Sequence, residues 1–300
     1  MVDATSLATP KEIDAPSPRE ILHKRMLGHR GLRVGGTILS VIVLAALFAP
    51  LLAPYDPYEQ DLLNRMVPPV WASAGSWEHI LGTDHVGRDY LSRLLYGARI
   101  SLLIGVSTAI ISGLIGVTLG VVAGYNGGRV DAAIMFIISM RLAMPLILVA
   151  LAVVALIGSS LQTVILVLGF LLWERYALVV RAATMQARSM DYVIAAKALG
   201  ASVPRIILTE IMPNIANQII VVATLEMAHA IILEAALSFL GLGVQPPLPS
   251  WGLMVSEGKD VLLFEPWLIT IPGVCLFLLV LSINLVGDGL RDVTTPEARN

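Results

Sequence analysis

Residues 100–124 read I-S-L-L-I-G-V-S-T-A-I-I-S-G-L-I-G-V-T-L-G-V-V-A-G, 25 residues with no ionisable side chain and no proline. As an α-helix this stretch rises about 37 Å at 1.5 Å per residue, enough to cross a hydrocarbon core of about 30 Å. A chain in lipid must satisfy its own backbone hydrogen bonds, and a helix does so within one segment. Ser112, Gly116, Gly120 and Gly124 recur every fourth residue, which puts four small side chains on one helix face. In lipid such a stripe lets two backbones approach closely. The neighbour is either another helix of this chain or a partner subunit.

Five further apolar stretches extend the pattern: residues 34–53, 132–157, 161–180, 216–237 and 267–286. The 300-residue chain is 56% hydrophobic and 14% charged, against roughly 25% charged in a soluble domain. The fold class is therefore all-α integral membrane, with six transmembrane helices. The first span follows a basic segment (Lys24, Arg25, Arg30, Arg33) and is too long for a signal-peptide core. With no small-x-small cleavage site after it, it reads as an uncleaved anchor. With the N-terminus inside, the cytoplasmic segments carry fourteen Lys/Arg and the external ones five, so the positive-inside rule favours N-in and C-in. This divides the chain into a cytoplasmic segment 1–33, an anchor with its external loop 34–99, a core 100–287 containing the polar loop 189–213, and a cytoplasmic tail 288–300. The net charge of −2 carries no nucleic-acid signal. The single cysteine, Cys275, lies in an apolar span, cannot form an internal disulfide, and reads as packing.

The cytoplasmic loop between the fourth and fifth spans, residues 191–213, reads D-Y-V-I-A-A-K-A-L-G-A-S-V-P-R-I-I-L-T-E-I-M-P. Asp191 is placed to cap a short helix over 192–199, and Gly200 to end it in a left-handed turn. Ser202 is placed to cap a second helix that tolerates Pro204 in its first turn. Pro213 should break that helix and Asn214 cap the next span. The alanine pair, the glycine four residues on, the apolar run and the proline together resemble the "EAA" loop of the membrane subunits of ABC importers. That resemblance implies that Asp191, Tyr192, Ala195, Ala196, Lys197, Leu199 and Gly200 contact a partner ATPase. The family's leading glutamate falls on Ile194 here, so an ion pair made by that residue is absent.

Two external strings and the C-terminus narrow the resemblance. Residues 81–99 read L-G-T-D-H-V-G-R-D-Y-L-S-R-L-L-Y-G-A-R, and the part after Asp89 reads as an amphipathic helix suited to the membrane interface. Residues 234–252 read E-A-A-L-S-F-L-G-L-G-V-Q-P-P-L-P-S-W-G and build a rigid external loop. Residues 284–292 match N-L-x-G-D-G-L-R-D. Over about 35–292 the chain resembles permease subunits of the dipeptide/oligopeptide/nickel branch of binding-protein-dependent importers. The aspartate-proline that often follows in that branch is Thr295-Pro296 here. The resemblance implies a bacterial inner-membrane subunit that forms its pathway with a second permease subunit. It implies two ATPase subunits that hold the ATP and Mg, and an extracytoplasmic binding protein docking near Gly82, Asp84, Arg88, Asp89, Gln245 and Trp251. It also implies surrounding lipid, no cofactor or metal in this chain, and cargo most often of di- or oligopeptides. Nickel complexes, glutathione, opine-like or sugar-type solutes are the alternatives.

No G-x-x-x-x-G-K-[ST] occurs, so nucleotide binding is not expected of this chain. No H-E-x-x-H, Cys/His cluster or nucleophile elbow appears, which leaves a membrane enzyme without a catalytic constellation. An ion-coupled secondary transporter should show internal repeats, and none is evident. Ionisable residues inside the third and fifth spans stand out. Arg141 and Glu226 lie at matching depth near mid-bilayer, with His229 one turn from Glu226. They are either a structural Arg141–Glu226 salt bridge or a pathway lining. The resembling permeases often have an aspartate near 139 and an aromatic at 144. Ser139 and Met144 stand here, which marks Met144 as a further pathway candidate.

Overall fold

The computed structural model describes residues 18–294. Those residues are helical, with no β-sheet among them. In order they form α1 (Pro18–Gly28), α2 (Arg30–Leu47), α3 (Ala49–Leu52), α4 (Tyr90–Asn126), α5 (Gly128–Leu142), α6 (Leu146–Ile157), α7 (Leu161–Leu171) and α8 (Glu174–Arg188). Then follow α9 (Asp191–Ala198), α10 (Val203–Arg205), a wide-turn segment Ile206–Ile211, α11 (Met212–Phe239), α12 (Trp251–Gly258) and α13 (Trp267–Thr294). Five helical runs are long and apolar enough to cross a membrane, and counting the bent pair α5–α6 as one span gives six. The 295–296 departure, residues 1–17 and the end of the tail lie outside the described residues.

Three expectations change. Residues 132–157 are not one straight span: α5 and α6 meet at 82°. Proline has no N–H, and its ring pushes the preceding residue out of helical geometry. Pro145 accordingly sits just ahead of α6, with Met144 at the corner. The segment after Asp89 is not a separate interfacial helix either. It is the first part of α4, whose 37 residues rise about 55 Å, so its start stands beyond the bilayer. Its Tyr90, Ser92 and Arg93 are buried in external structure. Last, Pro213 does not break the helix that Ser202 begins. Helical turns run on from Val203 to Phe239, and the missing donor is absorbed by the widened turn upstream, where the Met212 N–H reaches back to the Ile207 carbonyl. Asn214 does not cap a new span; its side-chain Nδ2 donates to the Glu210 carbonyl within the helix at 2.6 Å.

The small-residue stripe is an internal seam. Cβ atoms placed on Gly116, Gly120 and Gly124 would lie 2.3, 2.7 and 2.6 Å from the carbonyl oxygens of Trp173, Ala177 and Arg181. These carbonyls also recur every fourth residue, along α8. The two backbones therefore run in contact, and the neighbour is this chain's own fourth span. The C-terminal motif serves a similar end. Gly287 makes room for Thr224 of α11 and Gly289 for Leu32 of α2. Asp292 takes Nε2 of His29 at 3.1 Å, and His29 Nδ1 accepts the Leu32 N–H to cap α2. The anchor is thus pinned to the last span. Cys275 lies partly buried in α13 among apolar side chains.

Candidate functional site

The cytoplasmic loop folds as a capped helix on a corner. Met190, not Asp191, is the N-cap of α9, and Asp191 is its first helical residue, where its charge still favours the helix N-terminus. At the other end the Gly200 N–H bonds the Lys197 carbonyl at 3.0 Å and the Ala201 N–H bonds the Ala196 carbonyl at 3.1 Å. Gly200 has φ +80°. This is the paired hydrogen-bond pattern of a Schellman ending. Ser202 precedes α10 as expected, without a side-chain capping bond. Val193 is buried against Ile206 and Ile211, and Ala196 packs with them. The rest of α9 is open: Asp191, Tyr192, Ala195 and Lys197 are exposed, and Leu199 is 88% exposed.

Inside the membrane a polar cluster forms where two spans break. The fourth span is interrupted at Leu172–Trp173 between α7 and α8, which leaves carbonyls at the end of α7 without helical donors. Arg141, one residue before the end of α5, donates from Nη2 to the Leu171 carbonyl at 2.7 Å. The expected Arg141–Glu226 bridge is absent. Arg141 serves the broken backbone, and Glu226 faces Arg175 instead, Nη1 to Oε1 at 3.3 Å. His229 Nδ1 lies 3.5 Å from the other Glu226 oxygen. Glu174 is buried beside these groups, within electrostatic reach of Arg141, Arg175 and Glu226. Two guanidiniums therefore offset two carboxylates. An unpaired charge at this depth costs about 2.5–3.5 kcal/mol or more, which is why they gather. Sequence reading missed Arg175 by counting it with the cytoplasmic loop, although it falls within the 161–180 span. It stands mid-way along Leu161–Arg188. Met144 is exposed at the α5–α6 corner.

The external candidates are mostly internal supports. Asp84 accepts Arg88 Nε at 2.7 Å and the amides of Val86 and Arg88 at 2.9 and 3.0 Å. Arg93 bonds the same Asp84 carboxylate and Glu257 of α12 at 2.8 Å. Burial pushes the Asp84 carboxyl up, but Arg93 and Arg88 outweigh it and hold it below the ordinary carboxylate range. Asp89 caps α4 through the Ser92 amide and pairs with His79 at 2.9 Å. Trp251 is buried, with Nε1 on the Leu94 carbonyl at 2.8 Å. Gly82 has φ +78°, and a Cβ there would meet the Val67 carbonyl at 2.2 Å. Of the six candidates only Gln245 is exposed. Glu234, fully buried at the end of α11, takes the hydroxyls of Ser238 and Ser250 at 2.7 and 2.9 Å and so ties the external loop to the fifth span.

Residues 116–300 match the family described as "Binding-protein-dependent transport system inner membrane component". The chain belongs to that family. Its residues 17–69 also match the N-terminal transmembrane domain of oligopeptide transport permease C. This permease is 41% identical over 285 residues to the di/tripeptide transport system permease protein DppC of Pseudomonas aeruginosa, covering 95% of this chain and 94% of that one. It is 43% identical over 298 residues to the dipeptide transport system permease protein DppC of Escherichia coli K12, covering 96% and 97%. Its fold resembles that of a chain in the inward-facing MetNI methionine ABC transporter, with TM-score 0.56, 18% identity, and coverage of 68% of this chain and 97% of that one. The permease is thus a multi-pass inner-membrane transport subunit of a binding-protein-dependent ABC importer.

Proposed function

We propose that this permease takes up di- and oligopeptides. On this reading α9 is its contact with a partner ATPase, and the Arg175–Glu226–His229 cluster, with Met144, lies on its pathway. The relatives named as di- and tripeptide permeases, each aligned over nearly the whole chain, support the cargo class. The observation that carries the coupling role is Leu199, 88% exposed at the C-terminal end of α9, where the Gly200 turn locks the helix. A free loop would lose a push in its own flexibility. An eight-residue helix locked by a Schellman turn passes it on. ATP and Mg are then bound by two ATPase subunits, and the pathway lies between this chain and a second permease subunit. The binding protein docks on the external loops at their open positions, His85 and Gln245, while Asp84, Arg88, Asp89 and Trp251 hold those loops in shape. Arg141 belongs to the scaffold of the pathway rather than its lining.

Cysteine crosslinking tests the coupling role. A Leu199→Cys variant in a Cys275→Ser background should crosslink to an ATPase subunit in membranes of the assembled importer, and should be labelled by impermeant reagents only from the cytoplasmic side. Labelling from outside in intact cells, or no ATPase adduct in an assembled importer, refutes the reading.

A further inference from the structure

We propose that Arg175 and Glu226 form a zwitterion-recognition pair within the pathway, Glu226 meeting the free ammonium of a peptide and Arg175 its free carboxylate. The inference rests on the importer reading above and adds the chemistry of the cargo. Four observations carry it. Arg175 is 58% exposed although it stands mid-way along a span. A guanidinium in that position faces a water-filled route or a polar partner rather than lipid tails. Glu226 is fully buried, yet neither carboxylate oxygen has a hydrogen-bond partner, and neither does Nδ1 of His229. The contacts at 3.3 and 3.5 Å are ion contacts without hydrogen-bond geometry, so the pair is loose and its donors and acceptors are unspent. Finally, Arg141 is committed to the Leu171 carbonyl, which leaves Arg175 as the guanidinium with room to turn.

A bound zwitterion replaces one loose ion pair by two charge-assisted ones. Glu226 exchanges Arg175 for the cargo's ammonium, and Arg175 exchanges Glu226 for the cargo's carboxylate. Charge balance in the membrane is kept throughout, so a peptide with both ends free meets little barrier. A cargo lacking one charged end leaves Arg175 or Glu226 without a counter-ion. An extended dipeptide spans about 7 Å, so the side chains must part to admit it. An arginine with an exposed, flexible stem can do this. His229, beside the carboxylate, offers a further donor or acceptor to the ammonium end.

The test uses the whole importer in proteoliposomes, with uptake normalised to the cargo loaded on its binding protein. Cargo is one dipeptide offered as the free acid and as the C-terminal amide. Wild type should favour the acid by about tenfold, the scale of one lost charge-assisted contact. Arg175→Gln should bring that preference to about one. Arg175→Lys, which retains the charge, should keep the preference and guards against a mere folding defect. Glu226→Gln should weaken both cargoes alike. An acid preference unchanged in Arg175→Gln overturns the proposal. Wild type that hydrolyses ATP in response to the binding protein yet takes up neither form counts instead against the peptide-cargo reading.

Discussion

Replacing Gly200 separates backbone geometry from steric contact at the coupling corner. Its φ is +80°, and a Cβ built there meets nothing within 4 Å. Any cost of substitution within this chain therefore comes from the left-handed backbone alone. For an ordinary L-residue that conformation costs about 1–2 kcal/mol, a factor of roughly 5–30 in the population of the capped corner. Asparagine tolerates the region, alanine does not, and a β-branched residue resists it most. The expected order of coupling is therefore Gly200 above Gly200→Asn, then Gly200→Ala, then Gly200→Val, with Ala near a fivefold loss. Binding-protein-stimulated ATP hydrolysis and peptide uptake in proteoliposomes measure it, with assembly checked by co-purification. If Asn proves as damaging as Val, the side chain is clashing with the ATPase and the backbone argument fails. If Val couples like wild type, the corner does not transmit force at all.

Two further outcomes follow from the packing. Asp84→Asn strips a shared carboxylate from two buried guanidiniums and should destabilise the protein by about 3–5 kcal/mol, read as a lower unfolding temperature in detergent. Because the Asp84 pKa is lowered in the fold, its contribution is present above the ordinary carboxylate pKa and lost only as pH falls through the still lower folded value, so stability should be flat near neutrality and drop only in strong acid. Gly120→Leu forces a side chain against the Ala177 carbonyl and Val180, and should cost about 1–3 kcal/mol or more, read as lost assembled importer in the membrane, whereas Gly273→Leu, with open space around it, should assemble normally.

The spans, the stripe and the glycine corner were legible in the sequence because each is a local rule. Apolar length decides a span, four-residue spacing decides a helix face, and a glycine after an alanine-rich turn decides a left-handed ending. What failed were inferences about continuity and partnership. Pro145 follows Met144 in plain view, but its apolar surroundings read as one span, and proline in a membrane helix has several outcomes. Pro213 has the same chemistry and the opposite result, because a widened turn upstream could accommodate it. The arginines were misread for a related reason. Arg141 and Glu226 share a depth, yet depth does not fix the direction a side chain takes around its helix. Arg141 turned to an orphaned carbonyl that exists only because α7 and α8 break, and no sequence pattern marked that break at Leu172–Trp173. The external candidates Asp84, Arg88 and Asp89 were recognisable as a motif, but a motif of charged residues reads the same whether it faces a partner or an internal counter-ion. Arg93 stands in the same string, but its second counter-ion, Glu257, comes from a distant part of the chain.

The position of the coupling helix in the chain ties the two halves of the reading together. Immediately before α9 lies α8, which carries Arg175; beyond the Gly200 corner lies the run Val203–Phe239, which carries Glu226. Val193 on α9 is packed against Ile206 and Ile211 at the base of that run, and from Ile206 to Glu226 the rise is about 30 Å. α9 thus sits at the junction of the two rods that carry the facing charges, Arg175 at the far end of α8 and Glu226 within α11. Along α8 the motion is constrained by the backbone seam with α4, where glycine leaves no side chain to compress. The fifth span packs along α8 without a glycine stripe between them, and meets Arg175 through Glu226 at 3.3 Å. On the coupling reading, a displacement of α9 bears on both rods, and any relative movement of α8 and α11 is felt at that ion pair. A contact without hydrogen-bond geometry is the kind that such a movement opens at little cost, and a bound zwitterion would hold it open.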